Sequence, residues 1–160
     1  MCLFKFLGFE SPIIKLDSKN CRKEWGSKYL NFFERVTDLK NNFKIQTDRI
    51  HKALSFSWSL ESSSKWSIEN PAMGQCGVTS LVVNDLLGGE ISKTKLPDGW
   101  HFYNFINGIR YDFTASQFKE SIHYMDFPSN REEAFLDTND KQYTYLKQSV
   151  FLYLDTSKQD

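Results

Sequence analysis

Three residues whose types together suit acyl transfer stand in order along this 160-residue chain: Cys76, His101 and Asp112. Cys76 follows Asn70-Pro71 and Gly74-Gln75, and it precedes the apolar positions Val78, Leu81, Val82, Leu86 and Leu87, which Gly88-Gly89 ends. Proline before and glycine after predict a helix that opens at the cysteine. A thiol in a first helical turn faces unpaired N–H groups and the positive end of the macrodipole, so it is expected to ionise below the ordinary thiol value. A thiolate nucleophile also needs a base to take and return a proton, and a group behind that base to fix its tautomer. His101 and Asp112 are the candidates for those two roles.

Their pairing follows from a turn. Asn107-Gly108 is the strongest local hairpin signal in the chain. With those two residues as the loop, Ile106 faces Ile109, Asp112 falls opposite Tyr103, and His101, two residues from Tyr103, shares its face. The diagonal separation of about 7 to 8 Å lets an imidazole meet a carboxylate. A slip of one residue would put them on opposite faces. Taken singly, a small buried cysteine, a hydrogen-bonding strand histidine and a turn-forming aspartate account for the same residues. A helix start, a hairpin and a face assignment, which are independent signals, together favour a triad.

Acyl transfer further requires donors aimed at the developing oxyanion. The Cys76 backbone N–H is expected as one donor, and the side-chain amide of Asn70 or Gln75 as the other. Trp100, beside His101, is a candidate wall of the substrate pocket. His51 and His123 lack partner spacing and are expected in surface or packing roles, and Cys2 and Cys21 are given no catalytic part.

The elements that must position these groups read as follows. Trp25, Tyr29, Phe32, Phe33, Val36, Leu39 and Phe43 recur every three or four residues and predict a helix of about 20 residues with one core-facing stripe. A shorter helix is predicted through Ile50, Ala53, Leu54 and Trp58, ending in a serine-rich loop from Ser59 to Ser67. After Gly88-Gly89 the pattern becomes extended, with strands predicted at 90–94, 100–106 and 109–114. Residues 127–140 are polar and turn-rich. Tyr143, Leu146 and Val150 fit a closing helix, although a strand over 150–154 fits nearly as well. The fold class is therefore α+β: N-terminal helices, a central cysteine-bearing helix and a small antiparallel sheet. Residues 1–48 are read as a helical extension and 49–160 as the catalytic-type domain.

Composition narrows the field. With 40% hydrophobic and 25% charged residues, the chain has material for one core and excludes two large domains. It holds no apolar run near the roughly 18 residues a membrane span needs, and MCLFKFLGF lacks the features of a signal peptide, so a cytoplasmic protein with no membrane partner is expected. Three cysteines without metal-ligand spacing argue against a disulfide framework and a zinc site, and no metal or organic cofactor is called for. Residues 1–60 carry 11 Lys and Arg against 6 Asp and Glu, and residues 61–160 carry 9 against 14. The basic half is read as a solvated helix face that docks internally or grips a partner protein. Overall neutrality offers nucleic acid little attraction, so none is expected as a partner.

The motifs ALSFSW (53–58), Trp66, NPAMGQCGVTSLVVNDLLGG (70–89), HFYN (101–104) and DFTASQF (112–118) occur in an order that resembles the small bacterial YunG-like family. The resemblance covers roughly residues 50 to 153, with Phe102 and Tyr103 in place of the family's Tyr and Trp and Phe113 in place of its Leu. Its Cys, His, Asp order is similar to that of papain-like and transglutaminase-like enzymes. Gly74-Gln75-Cys76 matches the tripeptide around the transglutaminase nucleophile, whereas Gly77 stands where those enzymes have tryptophan. The Cys-to-His and His-to-Asp spacings are also short for the large enzymes. What the resemblance implies is a minimal papain-like core and a thiol hydrolase or acyltransferase acting on an amide or thioester of a protein or peptide-like substrate. Peptidase, deamidase and transferase stay open. The alternative is a protein-interaction module on the same scaffold, using its N-terminal helices and carrying a vestigial triad.

Overall fold

A computed structural model of the chain describes residues 18–157, with side chains described at residue 32 and from 34 onward. The elements are helix α1 (Ser18–Ser57), helix α2 (Cys76–Leu87), strands β1 (Glu90–Leu96), β2 (Gly99–Ile106) and β3 (Ile109–Tyr111), a 3-10 turn (Ala115–Gln117), strand β4 (Phe127–Ser129), and helices α3 (Arg131–Phe135) and α4 (Asp140–Thr156). The chain divides into two units, Met1–Lys44 and Ile45–Asp160. An α+β architecture with a small antiparallel sheet is thus what the chain adopts.

The two helices expected before the serine loop are one. Residues 44–49 contain neither glycine nor proline, and Lys44, Gln46 and Arg49 are good helix formers, so nothing interrupts α1. In the first unit Phe32 and Leu39 are 62% and 69% exposed and Val36 and Phe43 half-buried, which corrects the reading of that stripe as core. Periodicity specifies which residues share a face, and not what covers it. Trp25, Tyr29 and Phe33 lie outside the described side chains. In the second unit the same helix behaves as expected of an amphipathic one. Thr47, Ile50, Ala53, Leu54 and Ser57 are buried along one stripe, and Trp58 Nε1 donates to Thr79 Oγ1 on α2 at 3.1 Å.

The sheet is antiparallel throughout, in the order β3-β2-β1-β4. Asn107 (φ 53°) and Gly108 (φ 73°) take the left-handed conformations that a two-residue hairpin requires, and the pairs Ile106–Ile109, Phe105–Arg110 and Asn104–Tyr111 hold the expected register. Alternation along β2 then divides its side chains. Phe102 joins Cys76, Leu81, Ile91 and Ala134 in the core beneath α2 and α3, and Asn104 donates to Ser80 O on α2 at 3.0 Å. His101 and Tyr103 face the other way, against Phe118 and Tyr124 of the segment after β3. Two elements went unread in the sequence: β4, which pairs with β1, and α3, which Asn130 caps by accepting from Glu133 N. Each is too short to show periodicity. The closing helix forms as α4, with Leu146 and Val150 fully buried.

Gly89 is where α2 turns into the sheet. Its φ is +77°, and a Cβ there would lie 2.3 Å from the Phe105 carbonyl oxygen. Gly108 has a similar φ and open space. Gly89→Ala is therefore expected to lower unfolding free energy by roughly 2 kcal/mol or more and Gly108→Asn by about 1 kcal/mol or less, measured by urea denaturation.

Candidate active site

Asp112 follows the last residue of β3, where the strand gives way to a tight turn. Its Oδ1 accepts from the N–H and the hydroxyl of Thr114, each at 3.0 Å, which fixes the carboxylate relative to its own backbone. The other oxygen, Oδ2, lies 2.7 Å from His101 Nε2 and accepts from Tyr124 OH at 2.7 Å. Burial alone would raise this carboxyl, but the bonds from His101, Tyr124 and Thr114 outweigh it and hold Asp112 below its ordinary value. Both members of the pair are nearly inaccessible, at 2% and 5% of side-chain surface. The expected pairing of His101 with Asp112 is thus present in the structure.

The ring orientation follows from the partners. Asp112, an ionised acceptor, requires Nε2 to carry a hydrogen, so in the neutral imidazole Nδ1 is the basic nitrogen. Gln117 Nε2 donates to Thr114 O at 3.0 Å and lies 3.4 Å from Nδ1, so a donor faces that nitrogen and the same tautomer is selected twice. Asn70 sets this arrangement from a distance: its Nδ2 donates to the Gln117 carbonyl at 3.0 Å.

Cys76 opens α2 as expected, but its thiol is not a low-value one. The residue is 7% exposed, and its thiol donates to Asp137 Oδ2 at 3.3 Å. Burial, followed by the Asp137 charge, pushes the thiol up to about 12, against the opposing pull of the Phe102 and Gly77 backbone N–H groups. The expected lowering by the helix terminus is therefore corrected. Asp137 itself sits against the terminus, its carboxylate occupying the space where a Gly77 Cβ would be 2.9 Å from its Oδ2. Burial raises the Asp137 carboxyl above the usual range, with the Cys76 thiol, the Gly77 N–H, Lys65 and His101 acting to lower it.

Cys76, His101, Trp100, Gln117 and Asp137 all line one cleft of about 400 Å³ at the β1–β2 turn, with Lys65, Met73, Asp98 and Ile122 among its other walls. β3 stops opposite Asn104, so the first half of β2 has no strand on that side, and residues from both faces of the sheet reach the opening. Trp100, 41% exposed, takes the expected place in the wall. Asn70 and Gln75 do not line it. Gln75 is wholly buried, its Nε2 3.5 Å from Ser59 O and its Oε1 without a partner, and the Asn70 amide is committed to Gln117. Both expected oxyanion donors are corrected by these bonds. Gln117 and Asp137 are the cleft residues that sequence reasoning missed. Gln117 lay within the DFTASQF motif without a role, whereas nothing in residues 127–140 distinguished Asp137 from its acidic neighbours.

An α+β domain whose cleft gathers a thiol, an imidazole held by a carboxylate, and a second carboxylate on the thiol is the class that fold and site define. The YunG protein family model matches residues 46–155, and the chain belongs to that family. It is 49% identical over 113 residues to a Bacillus subtilis (strain 168) protein described as "Uncharacterized protein YunG", an alignment covering 71% of this chain and 98% of that protein. No solved structure matches the chain. Among the described residues no helix is long and apolar enough to cross a membrane.

The thiol value makes a pH prediction. Because the folded-state value lies above the ordinary 9.0, the protonated thiol contributes stability that is complete below about pH 9 and is lost as pH rises toward about 12. Cys76→Ala removes this dependence. It is expected to lose less unfolding free energy than the wild type between about pH 8 and pH 10, by denaturant titration at each pH.

Proposed function

We propose that the protein is a cysteine-dependent hydrolase or acyltransferase acting on an amide or thioester bond, with Cys76 as nucleophile, His101 as base and acid, and Asp112 as the group that orients His101. The observation that carries the reading is the buried bond of 2.7 Å between His101 Nε2 and Asp112 Oδ2, in a cleft that also opens on Cys76. A structural histidine needs partners on its nitrogens. It has no need of a buried carboxylate on one nitrogen while lining the same cleft as a thiol.

In this mechanism the proton of the Cys76 thiol passes to His101 Nδ1, and the thiolate attacks the substrate carbonyl carbon. A carbon–sulfur bond forms, and the electron pair of the carbonyl moves onto oxygen. Collapse of that intermediate breaks the bond to the leaving amine or thiol, which departs with the His101 proton, and an acyl-cysteine remains. Water releases the acid in a hydrolase, and an amine or thiol acceptor takes the acyl group in a transferase. Asp112 stabilises the imidazolium throughout and keeps its proton-bearing face fixed. The order of cysteine helix and histidine strand fits a minimal papain-like core, and Trp100 and Gln117, which line the cleft, are the residues proposed to meet the substrate. A protein or peptide-like substrate in the cytoplasm, with no cofactor, is the context proposed with it.

One observation favours a second reading, a protein-interaction module with a vestigial triad. The thiol's hydrogen bond goes to Asp137 and not to His101. Trapping separates the two. The full chain is incubated with a panel of peptide amides and acyl thioesters, and mass spectrometry locates acyl groups on Cys76. The enzyme reading predicts an acyl-Cys76 adduct whose formation falls by about a hundredfold or more in His101→Ala and in Asp112→Asn. Absence of any adduct across the panel, or adducts formed equally well by both variants, contradicts it.

A further inference from the structure

The cleft holds one carboxylate that the proposed mechanism leaves unused. Asp137 accepts the Cys76 thiol at 3.3 Å, lines the 400 Å³ cleft, and also lines a second hollow of about 220 Å³ with Lys93, Trp100, Phe102, Glu133 and Leu136. Asp137 and the exposed Trp100 are thus common to both hollows.

We propose that Asp137 is a positioning and specificity-determining residue: in the free protein it keeps the thiol proton from His101, and a substrate with a hydrogen-bond donor or positive charge beside its scissile carbonyl releases it. This rests on the triad reading. A thiolate and a carboxylate within hydrogen-bond distance repel, the more so because the thiol end of the pair is buried, so offsetting the Asp137 charge favours ionisation of Cys76. The groups facing Asp137 are the Cys76 thiol and Gly77 N–H from α2, Lys65 from the loop before α2, and His101 from β2. Asp98 lies on the wall of the same cleft. Lys65 and His101 act on the carboxylate through their charge, while its hydrogen bonds come from the thiol and the Gly77 N–H. A carboxylate offers about four lone-pair sites, so it retains capacity for a donor from the substrate.

Substrate entry would then work by exchange. An amide N–H or ammonium group of the substrate donates to Asp137, the Sγ–H bond turns from Asp137, and its proton moves to His101 Nδ1. Thiolate and imidazolium result, no electrons change hands, and the acyl transfer described above follows. An anionic group in the same position would meet Asp137 unfavourably. The cleft is accordingly selective for neutral or cationic amide-bearing substrates over acidic ones, and its nucleophile is quiet until such a substrate arrives.

The test uses three methanethiosulfonates of like size on the full chain: ammonium-bearing, neutral and sulfonate-bearing. Disulfide formation at Cys76 is timed by peptide mass spectrometry from acid to alkaline pH, and each rate is divided by that of free cysteine. In the wild type the cationic reagent is expected to outpace the anionic one by roughly tenfold. In Asp137→Asn the neutral reagent should react roughly tenfold faster at neutral pH, its profile displaced to lower pH by about one unit, with the charge preference collapsed. No charge preference in the wild type, or an unchanged profile in Asp137→Asn, overturns the inference. The wild-type charge series decides alone should that variant fail to fold. Acyl trapping keeps the two readings apart. Loss of adduct in His101→Ala with no Asp137→Asn effect overturns this inference alone. An Asp137→Asn effect beside unimpaired acylation in His101→Ala overturns the triad and with it the proton transfer to His101, leaving only the charge selection at Asp137.

Discussion

The bond between His101 and Asp112 is the constraint around which the cleft is arranged. Removing a carboxylate from water is costly unless its lone pairs are filled, and here four donors fill them: the imidazole, the Tyr124 hydroxyl, and the N–H and hydroxyl of Thr114. Each donor in turn fixes a piece of chain. The Thr114 bonds set the turn after β3, Tyr124 draws the following segment across the outer face of the sheet, and Phe118 packs edge-on against the imidazole with ring centroids 4.8 Å apart. Hairpin register is the precondition for all of this, since a shift of one residue would turn Asp112 away from His101. Local turn chemistry at Asn107-Gly108 thereby determines whether His101 meets Asp112.

A second carboxylate, that of the solvent-exposed Asp137, imposes the opposite condition on the Cys76 thiol. The N-terminus of α2 presents N–H groups that would favour a thiolate, yet Asp137 sits at that terminus and the Gly77 N–H serves both groups. Gly77 is the residue that permits this approach, because any side chain there would meet Asp137 and the Ala134 carbonyl at about 3 Å. Thiol and imidazole consequently rest with different partners, Asp137 and Gln117. The two groups line one cleft and each is held by a partner of its own.

How much of this could be read from the residues depended on range. α2 was legible because Pro71 and Gly88-Gly89 bracket an apolar run. The hairpin was legible because Asn-Gly selects one turn, and the face shared by His101 and Asp112 then followed by counting. Local signals failed where an element is short or its surroundings decide the outcome. β4 has three residues and α3 five, and neither shows a period. The Cys76 value is set first by burial and then by the charge of Asp137, 61 positions away, against the dipole effect that the local pattern suggests. Asn70 and Gln75 were plausible amide donors by proximity in sequence, but Asn70 bonds to Gln117, 47 residues on, and Gln75 is enclosed. The apolar stripe from Phe32 to Phe43 was correctly helical and wrongly assigned to a core, since a period carries no information about cover.

Asp112 holds His101 through Nε2 and leaves Nδ1 as the basic nitrogen of a residue that lines the cleft. Long-range proton–nitrogen correlation of the His101 ring in the full chain at neutral pH reads that tautomer directly. The account predicts a protonated Nε2 and an unprotonated, acceptor-type Nδ1. A hydrogen resident on Nδ1, or two nitrogens averaged by exchange between tautomers, would contradict it.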